Sequence, residues 1–249
     1  MPLHAWVAGA TGYTGQAVVA ILRARGVPTT AHVRPDSSQR ERWETHFRDL
    51  GAEVDTTPWV TPSLTEAVTR VAPTHVFALL GTTRARMRSE RNSGRPPGSY
   101  DSVDFGLSHL LWECTWGLCP PPRFVYLSAM GVSARATGAY YAARWKMETA
   151  LSDRPGPHLI ARPAFISGQD RDEARPLERV GARIFDSALG GIGRLGWRRI
   201  RDQYRSMDAQ TLGAALVHLA LSDTQGVVEA ADLRRAALQP TGSNAMGIK

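Results

Sequence analysis

The chain is poor in cysteine and nearly devoid of lysine. Its 249 residues carry a net charge of +7, supplied almost wholly by arginine. The only lysines are Lys146 and Lys249, and the only cysteines Cys114 and Cys119. Two thiols with no histidine cluster beside them argue against a disulfide framework and a metal site. They read as reduced residues packing along a helix, in a reducing, cytoplasmic setting. No apolar run approaches the ~18 residues of a membrane helix, and residue 3 already opens a strand, so neither membrane insertion nor a signal peptide is expected. No Pro/Gly/Ser-rich linker divides the chain, so one domain is expected. Basic charge suits phosphate-bearing ligands. The arginines are scattered apart from Arg194, Arg198, Arg199, Arg201 and Arg205, which read as a solvated face, and a nucleic-acid partner is not expected. A small-molecule substrate and a monomer or homodimer are expected instead. In a chain that uses arginine throughout, Lys146 is conspicuous.

Glycine, by contrast, is concentrated where it matters. The stretch Val7-Ala8-Gly9-Ala10-Thr11-Gly12-Tyr13-Thr14-Gly15 follows an apolar strand-like run over 3–8 and precedes a helical pattern in which Ala17, Val18, Ile21 and Leu22 share a face. A glycine-rich turn between a strand and a helix is the setting of a dinucleotide site. Gly9 would allow the tight turn, Gly12 would let backbone approach a pyrophosphate, and Gly15 would let the helix pack on the sheet. The positive end of the helix and its open N–H groups then face the phosphates, with Thr11 and Thr14 as further donors. A second match, Gly191-Ile192-Gly193-Arg194-Leu195-Gly196, lacks a preceding strand and reads as a loop.

Strands and helices then alternate. Strand patterns at 29–33, 52–56, 75–80, 123–127 and 158–161 are separated by helical stretches at 37–50, 62–68, 100–116 and 139–148; a late helix at 208–221 and a short strand and helix within 227–238 follow. This order predicts an α/β fold, a doubly wound parallel sheet of Rossmann type. Its core would span about 3–166, a substrate-covering region 167–238 and a frayed tail 239–249. An acidic residue past the second strand would hold the ribose hydroxyl of NAD; Arg34 stands there instead and favours the 2′-phosphate of NADP. Leu80-Gly81-Thr82 closes the fourth strand where backbone would lie near the nicotinamide ribose. Residues 84–99, rich in Gly, Pro and Arg, suit either a substrate lid or disorder. Trp59 suits either an adenine stack or packing.

Six stretches, in order, carry a family resemblance: the glycine turn, Leu80-Gly81-Thr82-Thr83-Arg84, Val103-Asp104, Tyr126-Leu127-Ser128-Ala129-Met130-Gly131, Lys146-Met147-Glu148 and Arg162-Pro163. The chain resembles the atypical short-chain dehydrogenase/reductases of the NAD(P)-binding, NmrA-like group, closest to the Tat-interactive protein type and its bacterial relatives. That resemblance implies NADP across the carboxyl edge of the sheet, with Pro163 and Phe165 passing the nicotinamide amide. It also implies either reduction or epimerisation of a small molecule, or binding of NADP as a regulator without turnover. The family's chemistry uses a serine after the fifth strand and a tyrosine four residues before a lysine that also holds the nicotinamide ribose. Ser128, Tyr141 and Lys146 are the candidates, for an NADP-dependent oxidoreductase acting on a small carbonyl or alcohol. The spacing departs from the pattern: Tyr141 precedes Lys146 by five residues, about 140° away on a regular helix. A π-bulge between them would restore the alignment. Pairing Tyr140 with Arg144 restores the four-residue spacing at the cost of the lysine.

Overall fold

The computed structural model of the protein describes residues 2–82, 87–88, 91–92, 94, 98–164, 166 and 207–239. The strands are β1 (Ala5–Ala8), β2 (Thr29–His32), β3 (Glu53–Asp55), β4 (His75–Ala78), β5 (Arg123–Leu127), β6 (His158–Arg162) and β7 (Gly226–Glu229). They make one sheet in the order β3-β2-β1-β4-β5-β6-β7, and every pair is parallel. The chain winds outward from β1 to β3, returns to the other side of β1, and winds outward again. The switch point therefore lies between β1 and β4, the place where a doubly wound sheet binds ligands. The expected fold class is the observed one.

The helices are α1 (Tyr13–Ala24), α2 (Arg40–Asp49), α3 (Thr61–Val71), α4 (Ser108–Trp116), α5 (Ala139–Ser152), α6 (Ala209–Ala220) and α7 (Ala230–Ala237). A π-helical segment, Tyr100–Leu107, leads directly into α4. Strand residues alternate between two cores, as a period of two requires. Ala5, Val7, Phe77, Val125 and Leu159 face one side, under Val18 and Leu22 of α1 and Leu212 and Leu216 of α6. Trp6, Val76, Phe124, Tyr126 and Ile160 face the other, under Leu64 and Val68 of α3, Leu111 and Trp112 of α4, and Met147 and Leu151 of α5. Both faces are covered, which is why the central strands β1, β4, β5 and β6 read as largely apolar runs. Both cysteines are free thiols; Cys114 is buried as expected, whereas Cys119 is exposed. Among the described residues no helix is long and apolar enough to cross a membrane, and no group of three His, Cys, Asp or Glu side chains could hold a metal.

Three histidines are built into this frame with their proton affinity lowered by burial. His32 is 3% exposed, its Nε2 lies 2.8 Å from the Thr57 carbonyl, and its ring meets Trp59 edge-on at 4.8 Å. Burial pulls its pKa down against the Thr57 hydrogen bond and the Asp55 charge. His75 and His4 are lowered by burial too. Below the unfolded-state value of about 6.5 the unfolded chain takes up these protons before the folded one does. Stability is therefore expected to be level above neutrality and to fall as the pH drops below about 6.5. Thermal unfolding across that window checks this; a melting temperature that holds or rises on acidification would contradict it.

Candidate functional site

At the switch point the glycine turn is forced by close approaches. Gly9 has φ +78°, and a Cβ there would lie 2.6 Å from the Leu79 carbonyl oxygen beyond the end of β4. Gly12 donates its N–H to the Gly9 carbonyl at 3.0 Å and closes the turn. A Cβ on Gly15 would overlap that same Gly9 oxygen and stand 2.8 Å from the Ala10 Cα. Helix α1 thus starts hard against the turn. Its N-cap, Gly12, brings no side chain to the first-turn amides, and that turn holds no acidic residue. Gly12 and Tyr13 are exposed, Thr11 is half-buried and Thr14 is buried. An uncapped, unneutralised helix start is a ready anion site. Arg34 stands two residues past β2, the parallel neighbour of β1; it is about one-third exposed and lies 3.4 Å from Asp36. Trp59 packs on His32 and against the apolar core of the α3 side.

The second half of the carboxyl edge is organised by charges. Arg144, on the buried face of α5, passes through the space beside Gly81, where a Cβ would meet its Nη2 at 3.0 Å. It donates to the carbonyls of Leu127 and, at 3.4 Å, Leu80, and pairs with Asp104 Oδ1 at 2.7 Å. Asp104, fully buried, also accepts the Thr82 N–H at 2.9 Å. The guanidinium carbon lies 5.6 Å from the Tyr126 ring and 5.3 Å from the Tyr140 ring. Burial works against the charge, but Tyr126, Tyr140 and Asp104 outweigh it and hold the guanidinium protonated. Burial pushes the Tyr126 phenol up to about 12.

The residues proposed for catalysis are placed apart. Ser128 is 3% exposed and gives its hydroxyl proton to Glu148 Oε1 at 2.5 Å. Glu148 is held in turn by Arg162, at 3.0 Å from Nε and 2.5 Å from Nη2. Lys146 lies on the exposed face of α5, 2.6 Å from Asp101. Tyr141 is half-buried, with its Cε1 3.9 Å from where a Gly131 Cβ would be. Helix α5 is regular from Ala139 to Ser152, so no bulge brings Tyr141 round to Lys146. The π-helical turns occur instead in Tyr100–Leu107, the segment that supplies Asp104. The residue on the buried face, four after Tyr140, is Arg144. Pro163 is buried, and its carbonyl accepts from the Met130 N–H at 3.0 Å. Phe165, residues 83–86, most of the arginine-rich stretch to 97, and the region 167–206 with its basic cluster lie outside the described residues. Sequence reasoning assigned no role to Asp104 or Glu148. For Arg144 the signal was present in its spacing from Tyr140.

No family model and no curated protein matches the chain. Solved structures do resemble it. A provisionally assigned NAD-dependent epimerase/dehydratase from Bacillus halodurans superposes with a TM-score of 0.62 at 14% identity, covering 94% of this chain and 99% of that one. UDP-glucose 4-epimerase of Thermus thermophilus, solved with NAD, gives 0.59 at 14%, covering 94% and 82%. Acetoin dehydrogenase from Enterobacter cloacae gives 0.58 at 12%, covering 98% and 99%. At these identities the likeness is one of fold: the chain shares the doubly wound α/β fold of these proteins.

Proposed function

We propose that the protein binds NADP(H) along the carboxyl edge of its sheet and is an oxidoreductase of the atypical short-chain type, acting on a small carbonyl or alcohol. The observation that carries this is the uncapped start of α1 at a turn where Gly9 and Gly15 have no room for a Cβ. That cradle fits a pyrophosphate, whose oxygens would take up the open amides. Gly9, Thr11, Gly12, Tyr13, Thr14 and Gly15 would hold the phosphates. Leu80, Gly81, Thr82 and Pro163 would floor the nicotinamide half. NADP(H), when bound, supplies or accepts the hydride; the chain orients it, excludes water and delivers the proton.

The preference for NADP over NAD rests on Arg34. It is partly exposed, and its pair with Asp36 is a surface one that a 2′-phosphate could replace. A guanidinium–phosphate pair should be worth about 1.5–3 kcal/mol, roughly ten- to a hundred-fold in affinity. Calorimetric titration should give NADPH that margin over NADH in the native protein, and Arg34→Ala should remove it. Equal affinities in the native protein would refute the preference.

A second reading has its own observation. The Ser128 proton is committed to Glu148 and the Lys146 charge to Asp101, so two of the three expected catalytic groups are engaged in other contacts. On that reading the protein binds NADP(H) as a regulator and does not turn over. Tight NADPH binding with no oxidation of NADPH across a panel of small ketones and aldehydes would favour it.

A further inference from the structure

Arg144 is a buried charge that neither phosphate binding nor core packing requires. We propose that Arg144, fixed by Asp104, is the positioning residue of the nicotinamide half of the site: it fastens the ends of β4 and β5 to each other and sets the floor on which the second nucleotide lies. This rests on the NADP(H) reading above.

A doubly wound sheet is two mononucleotide-binding halves. Here β1, β2 and β3 make the first, and β4, β5 and β6 the second. The glycine turn and Arg34 belong to the first half. The Arg144 contacts belong to the second: the carbonyls of Leu80 and Leu127 follow or end adjacent strands and converge on one guanidinium. Two carbonyl oxygens aimed at one point repel unless a cation with divergent donors lies between them, and the planar fork of arginine supplies that geometry. Asp104 balances the charge and, through the Thr82 amide, holds the backbone just past Gly81. The Tyr126 and Tyr140 rings flank the guanidinium and limit its movement. Tyr140 is half-buried, and its ring also meets those of Tyr100 and Tyr141, each at 5.3 Å. The arginine thus fixes both the backbone floor and the phenol above it. Arginine also keeps its proton at any working pH, so this floor does not loosen as the pH rises.

The test separates the two halves with two ligands, NADPH and adenosine 2′,5′-bisphosphate, titrated against the full-length native protein, Arg144→Met, Arg144→Lys and Asp104→Asn. The expected result is a loss of about tenfold or more in NADPH affinity for Arg144→Met, with affinity for the bisphosphate unchanged within about twofold. Arg144→Lys should recover part of the loss, because it keeps the charge but not the fork. If Arg144→Met does not fold, Arg144→Lys and the near-isosteric Asp104→Asn decide by the same comparison. Unchanged NADPH affinity in the folded variants would overturn the proposal, and so would equal losses for both ligands, which mark a merely structural residue. A native protein that binds the bisphosphate and NADPH, with variants that do not distinguish them, overturns this proposal alone. A native protein that binds neither overturns the nucleotide reading together with it.

Discussion

Gly15→Ala should abolish nucleotide binding. The added methyl would overlap the Gly9 carbonyl oxygen and fall 2.8 Å from the Ala10 Cα, both main-chain atoms that no rotamer change can move aside. Relief requires α1 to slide away from the turn. That opens the packing of Val18 and Leu22 on the sheet and turns the first-turn amides off the phosphate position. Overpacking of this kind costs about 1–3 kcal/mol or more of stability. The loss in NADPH affinity should be larger, at least about a hundredfold, because every phosphate contact depends on the amides pointing together. Gly117→Ala is the control. A Cβ there has nothing within 4 Å, so both melting temperature and affinity should hold. A Gly15→Ala protein that binds NADPH like the native one would show that the phosphates do not sit on this turn.

The fold was legible because its signal is local and repeated. The central strands β1, β4, β5 and β6 are short, largely apolar and buried runs separated by helical patterns, so the alternation survives errors of a residue or two at the ends. The glycine turn was legible because steric exclusion is written in residue identity. Side-chain pairing was not, because it depends on partners far along the chain. Asp104 meets Arg144 across 40 residues and Ser128 meets Glu148 across 20. Around Tyr140 and Tyr141, with Arg144 and Lys146 behind them, the sequence offers two phenols and two cations, and spacing alone admits more than one pairing. Burial decides between the cations: Arg144 is 5% exposed, whereas Lys146 faces solvent with Asp101. A bulge in α5 would have aligned Tyr141 with Lys146, but that helix is regular. The π-helical geometry lies in the helix packed beside it, and it carries a fully buried aspartate that no periodicity in Tyr100–Leu107 announces. Wide turns of this kind concentrate at functional sites, and this one carries the partner of Arg144 on α5.

Replacing one tyrosine should silence turnover while replacing its neighbour should not. Tyr140 is the phenol whose ring lies over the Arg144 guanidinium, at 5.3 Å, and it precedes that cation by the four residues that stack side chains on one helix face. Tyr141 lies against Gly131 in the loop after β5. Ser128 cannot supply the proton, because its one O–H is given to Glu148. If the protein reduces carbonyls, Tyr140 is the phenol expected to give the proton that meets the developing alkoxide. Tyr140→Phe should therefore lower turnover by about 10²–10⁴, with NADPH affinity nearly unchanged. Tyr141→Phe and Ser128→Ala should each cost less than about tenfold. The measurement is NADPH oxidation across a panel of small ketones and aldehydes, with calorimetric NADPH binding on the same samples. Inactivation by Tyr141→Phe with Tyr140→Phe left active would return the proton donor to Tyr141 and remove Arg144 from beneath it. Native protein that binds NADPH tightly and oxidises none of it would instead make the Tyr140–Arg144 pair part of a binding site only.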